Sequence, residues 1–163
     1  MLAGCAGMPE NMSAPALPSS VRVPAGHRHA MTLKANGTLN YECRPVAGMS
    51  GAYHWVLDAP DASLLHWSGI PVGRYYGGPT LALRDGSRIV TSVVAASPDE
   101  PGKLPIQLLK TVSAGGSGDL AGVAYVQRLN TVGAAPTARC GPGDIGKSSR
   151  VDFSADFLFY KKR

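Results

Sequence analysis

Apolar and polar residues alternate with period two along much of this 163-residue chain. That is the spacing of side chains on a half-buried β-strand. The clearest case closes the chain. Val151, Phe153, Ala155, Phe157 and Phe159 share one face, while Asp152, Ser154, Asp156 and Tyr160 share the other. A helix would scatter the first set around its circumference, so the pattern predicts a long strand over 150–160 with every Phe of the chain on its core face. Residues 29–43 alternate as well, through Met31, Leu33, Leu39, Tyr41 and Cys43, with Asn36-Gly37 between. A two-residue Asn-Gly turn would set Leu33 against Asn40. A three-residue loop, Ala35 to Gly37, sets Leu33 against Leu39 and Met31 against Tyr41, and a hairpin of that register is expected.

Further strands are predicted at Tyr53–Leu57, Leu64–Trp67, Pro79–Arg84, Ser87–Ala95, Pro105–Val112 and Leu120–Asn130. Asp85-Gly86 marks a hairpin turn, Ala114–Gly118 reads as a flexible loop, and Pro60 is expected to end the strand before it. Many short strands with regular turn signals indicate one all-β domain, an antiparallel β-sandwich or barrel, jelly-roll-like, over 21–163. Composition sharpens this. With 20 Gly and 13 Pro, few stretches run ten residues without interruption, which excludes a helical bundle. Hydrophobic residues at 44% and charged residues at 17% fit a folded domain. No apolar run is long enough to span a bilayer as a helix.

The first residues carry an address. Leu2-Ala-Gly-Cys5 resembles the lipobox of bacterial lipoproteins, in which the Cys is acylated after cleavage before it. A charged and an apolar region are expected upstream of it. The competing reading is a chance match with Cys5 an ordinary thiol. Ala6–Ser20 is rich in Pro, Ala and Ser without periodicity, as a tether would be, so 1–20 is read as lipobox plus tether. Ala6 after the Cys points to the periplasmic face of the outer membrane. If lipid takes Cys5, Cys43 and Cys140 are left as a pair, and an oxidising compartment would join them. The alternative is two free thiols in a reducing compartment.

Several stretches together resemble one family of secreted proteins, domain of unknown function 3455. They are Tyr41-Glu-Cys43, Tyr53–Ala62, Val72-Gly73 with Gly78-Pro79-Thr80, Asp85-Gly-Ser87, Leu108-Leu-Lys110, Tyr125–Thr131 with Cys140, and Ala155–Tyr160. The chain departs from the family's usual residues at Tyr75, Leu81 and Ile106. The resemblance implies export, the disulfide and a single β domain, and it implies no activity.

Candidate chemistry is sparse. Gly141–Ser148 fits the phosphate-loop pattern G-x-x-x-x-G-K-S, but a strand follows where that loop needs a helix. His27 and His29 have the spacing of metal ligands on one strand face but lack a third ligand, so no metal and no cofactor are expected. Trp67, Arg74, Tyr75 and Tyr76 form an aromatic stretch suited to a sugar or aromatic ligand, or else a core edge followed by a bend. The net charge of +5 fits anionic lipid heads or glycans better than nucleic acid, because no basic stripe with interleaved aromatics occurs. The expected function is a lipid-anchored, non-catalytic binding or structural module of the cell envelope. The alternative is a small hydrolase or isomerase with a site near His54, Tyr75 and Tyr76. Ligand, partner proteins and oligomeric state are not encoded legibly.

Overall fold

The computed structural model describes residues 17–98, 103–133 and 135–163. The lipobox, Cys5 and the tether up to residue 16 lie outside the described residues. The chain folds as eight antiparallel strands: β1 (His27–Pro45), β2 (Tyr53–Leu65), β3 (Pro71–Tyr76), β4 (Thr80–Leu83), β5 (Arg88–Ser97), β6 (Ile106–Gly115), β7 (Val123–Val132) and β8 (Ser148–Lys162). Each pairs with its neighbours in sequence, and β8 returns to pair with β1, closing a barrel. Of sandwich and barrel, the chain thus adopts the barrel. Its connectivity is a simple meander, without the crossovers of a jelly roll, because every connection joins adjacent strands.

The core lies inside the barrel and is built from alternate residues of the strands. β8 follows its pattern: Phe153, Ala155, Phe157 and Phe159 are buried, and Phe157 is 0% exposed. Tyr75 of β3 packs its ring against Phe157 at a centroid distance of 5.0 Å.

Three expectations are corrected. The hairpin over 29–43 does not form, and β1 is one strand of 19 residues. Leu33, Ala35, Leu39, Tyr41 and Cys43 are all buried, so the alternation passes through Asn36-Gly37 without a change of face. Gly37 serves close approach instead of a turn. A Cβ there would lie 2.2 Å from the Asp61 carbonyl oxygen and 2.5 Å from Ala62 Cα on β2. Second, β2 runs through Pro60, which pairs with Leu39. β3 reaches only to Asp61, where Tyr76 is its partner. Pro60 therefore lies beyond the β2–β3 ladder, where the missing N–H leaves no acceptor stranded on that side. A bulge at Asp58 restores the inward phase for Pro60, Ala62 and Leu64. Third, β3 occupies Pro71–Tyr76, which had no strand assigned.

The Gly-rich loop after β6 is also held in place. The Asp85 carboxylate accepts from Ser87 N at 2.9 Å, Ser87 Oγ at 2.6 Å and Asp119 N at 2.7 Å. Ser87 Oγ accepts in turn from Leu120 N at 3.1 Å. One carboxylate thereby ties the β4–β5 turn to the β6–β7 connection. Gly118 permits this, since a Cβ there would meet Asp85 Oδ2 at 2.2 Å. These hydrogen bonds, led by the one from Ser87, hold the Asp85 carboxyl below its ordinary pKa.

Two stability outcomes follow from this core and this clamp. Removing the Phe157 ring should cost about 3–5 kcal/mol, a large part of a typical domain's stability, whereas Asp156→Asn on the outer face should change the urea midpoint little. Because Asp85 has a lowered pKa in the fold, its contribution is present above the ordinary value of 3.8 and is lost as pH falls through the lower folded value. Asp85→Asn should flatten that acid limb in urea titrations at several pH values. An unchanged limb would remove the carboxylate from the clamp.

Candidate functional site

The end of the barrel that carries the β1–β2 and β7–β8 connections is its most elaborated region. Cys43, near the end of β1, is joined to Cys140 of the β7–β8 connection, with Cα atoms 6.0 Å apart. Cys43 N donates to Lys147 O at 2.9 Å, and Gly146 N donates to Cys43 O at 3.0 Å. Trp55, the cross-strand partner of Cys43 on β2, donates its indole N–H to Ala138 O at 2.7 Å. Both side chains sit in the inward phase of their strands, so the connection is drawn across the mouth of the barrel. Between it and β2 lies a groove of about 590 Å³, lined by Tyr53, His54 and Trp55 on one side and by residues including Pro136 and Arg139 on the other. Its lining carries two aromatic rings, an imidazole and a guanidinium, and no carboxylate.

The phosphate-loop pattern folds as a short 3-10 turn, Pro142–Asp144, and a three-residue link that leads into β8 at Ser148. Lys147 Nζ is bound to Asp144 Oδ1 at 3.0 Å, within its own loop. A strand stands where a nucleotide site needs a helix, as its alternation predicted.

The aromatic stretch does not converge. Tyr75 points into the core, while Arg74 lies outside the barrel in an ion pair with Asp61 at 2.5 Å. Tyr76 and Arg74 share a shallow surface depression over β3 and β4. Trp67 stands in the β2–β3 turn at the opposite end from the disulfide. His54 is likewise apart from Tyr76. Tyr76 pairs with Asp61, and six residues of β2 lie between Asp61 and His54, about 20 Å of strand. The set His54, Tyr75 and Tyr76 is therefore not assembled. His27 and His29 each have a structural partner. His27 donates to Pro24 O at 2.9 Å and meets the Tyr125 ring edge-on, and His29 Nε2 lies 2.8 Å from Thr32 Oγ1 beside Tyr160. Among the described residues no three His, Cys, Asp or Glu gather as metal ligands.

One polar group inside the barrel was not anticipated. Arg128 of β7 shares the phase of Val126 and is 4% exposed. Its guanidinium donates to Pro105 O at 3.1 Å, and Nε has no partner. Burial works against its charge, offset in part by Tyr75 and Tyr41, and Tyr75 is within hydrogen-bond reach. Burial likewise raises the pKa of Tyr75, with Arg128 opposing. Sequence carried no clear signal for Arg128, since Ala124, Val126 and Val132 share its face while Val123, Tyr125 and Leu129 share the other.

Residues 66–161 match the family described as Protein of unknown function (DUF3455). The chain belongs to this family. The region matching the DUF3455 family runs from the β2–β3 turn nearly to the end of β8, and it includes the Asp85 clamp, Arg128 and Cys140. No curated protein and no solved structure matches the chain.

The bridge closes a separation of 97 residues. Opening it with reductant, or by Cys140→Ser, should lower stability by roughly 4–5 kcal/mol on the chain-entropy account, read from guanidinium midpoints. The raised pKa of Tyr75 stabilises the fold below the ordinary value of 10.0, and that contribution is lost as pH rises through the higher folded value. Alkaline unfolding monitored by circular dichroism should therefore move to higher pH in Tyr75→Phe. No movement would contradict this reading of the buried ring.

Proposed function

We propose that this protein is an exported, lipid-anchored module of the bacterial cell envelope that binds a ligand and does no chemistry on it. The anchor is Cys5, the location is the periplasmic face of the outer membrane, and the ligand is an acidic saccharide of the envelope. The Cys43–Cys140 bridge supports passage through an oxidising compartment. The observation that carries the binding reading is the groove beside that bridge. Its volume of about 590 Å³ falls within the range of small-ligand sites. Tyr53 and Trp55 offer rings to a sugar face, and Arg139 and His54 offer donors to a carboxylate or phosphate. The bridge and the Trp55–Ala138 hydrogen bond fix both walls before any ligand arrives, which reduces the ordering cost of binding.

Fluorescence titration in a Trp67→Phe background, where Trp55 is the remaining indole, tests the site. Muramic-acid-containing glycan fragments should perturb the emission, and neutral N-acetylglucosamine oligomers should do so weakly. Arg139→Ala should weaken the acidic ligand by about tenfold, the loss of one charge-assisted hydrogen bond of ~1.5 kcal/mol. Equal binding of acidic and neutral sugars, or no loss in Arg139→Ala, would count against it. For the anchor, protein made in cells with its upstream signal should enter the detergent phase on phase separation, and Cys5→Ser should stay in the aqueous phase.

A further inference from the structure

The barrel's other end has a different character. There the chain preceding β1 forms a strap. A 3-10 turn, Ser19–Val21, packs on the outside of β5 and β6 with Val21 fully buried. Gln127 anchors the strap by donating to Val21 O at 2.7 Å. The strap then passes along β8, where Arg163 N donates to Gly26 O at 3.0 Å. Beside it, β1 outruns β2. Its pairing with β2 begins at Lys34, whereas its pairing with β8 begins at His27. The β2–β3 turn thus sits against the side of β1. That turn is closed by His66 N to Ile70 O at 2.9 Å, and it holds Trp67 87% exposed and Ile70 61% exposed. A groove of about 480 Å³ joins Trp67 and His66 to His29 and Met31 on β1, with Lys34 and Asp156 also in its lining.

Cations flank this turn. Arg28 pairs across the seam with Lys161, and His27 with Lys162, while Arg163 and Arg22 lie along the strap. No Asp or Glu occurs in 17–31 or 157–163. From Arg28 to the level of Trp67 is four or five residues of strand, about 15 Å. An indole and an isoleucine on a tight turn, beside a cluster of Lys and Arg that outnumbers the carboxylates of this end, Asp156 in the groove and Asp85 and Asp119 in the neighbouring connections, have the chemistry of a bilayer interface: the ring enters the headgroup layer and the cations meet anionic lipid. Leu17 lies in the same region, beside Arg22, His27 and Arg163.

We infer that this end of the barrel, through Trp67, Ile70 and the basic residues at the start of β1 and end of β8, seats directly on an anionic phospholipid surface. The orientation deepens the lipid-anchor reading and turns the groove beside the disulfide away from the membrane. Acylation is not needed for the contact, so the two can fail separately.

The full chain, unacylated as Cys5→Ser, is mixed with vesicles of equimolar phosphatidylcholine and phosphatidylglycerol, and with pure phosphatidylcholine. It should sediment with the first and not the second, with a blue shift of Trp67 emission. Molar salt should release it. Lys161→Ser with Lys162→Ser should weaken binding roughly 25-fold, at about fivefold for each cation. Trp67→Ser should weaken it by about tenfold, with an unchanged thermal midpoint, since the ring is exposed. Met49→Ser, as exposed as Ile70 but at the disulfide end, should bind like the parent. No sedimentation, equal binding to both vesicles, or equal effects of Trp67→Ser and Met49→Ser would overturn the inference. So would a dimer without lipid that Trp67→Ser dissolves, which would make the surface a contact between copies. Detergent partitioning of the acylated protein reads the anchor independently: a chain that partitions but does not sediment keeps the anchor and loses this orientation.

Discussion

The seam between β1 and β8 decides the architecture. These strands are the longest of the barrel, and their ladder runs from His27 opposite Lys162 to Glu42 opposite Ser148. Without it, eight strands in meander order would form an open sheet with two long edges, and each edge would present unpaired N–H and C=O groups. With it, Phe153, Phe157 and Phe159 turn inward against residues from across the barrel, Tyr75 among them. Both ends are then dressed by pieces that depend on the seam. The disulfide connection crosses one mouth from β8 to β1, and the strap runs into β1 at the other.

This dependence explains why some of the fold was legible in sequence and some was not. β8 alternates for many residues without Gly or Pro, and local spacing alone identified its core face. β1 alternates just as long, but Asn36-Gly37 carries a strong turn signal. The decisive fact was that Leu33 and Leu39 keep one phase, which a continuous strand satisfies as well as a three-residue loop. What selects the strand is β8, a partner more than a hundred residues away that covers both halves of β1. Pro60 misled in the same way, because its tolerance depends on where β3 stops. The short β3 escaped notice because its phase is carried by little more than Tyr75 among glycine and polar residues.

The candidate site shows the same limit. Cysteine count and compartment identified the Cys43–Cys140 pair. The wall that Trp55 forms with Ala138 was not visible, since it is made by a connection whose path the bridge dictates. Arg128 was hidden by its type: an inward cation in a barrel core is rare enough that composition argues against it. The aromatic stretch at 67–76 read as one site only because its members adjoin in sequence. A strand sends Tyr75 and Tyr76 to opposite faces, and a turn carries Trp67 to the far end.

The two ends thus have separate chemistries, a rigid aromatic and cationic groove at one and an exposed indole beside Lys and Arg at the other, and the seam holds them apart. The most direct measurement of that seam is cross-strand proximity by nuclear Overhauser effects in labelled protein. Contacts of Ala35 with Ala155 and of Gly37 with Phe153 are predicted, as the register requires. Contacts between Leu33 and Leu39 across a turn at Ala35–Gly37, with none from β1 to β8, would contradict the closed barrel.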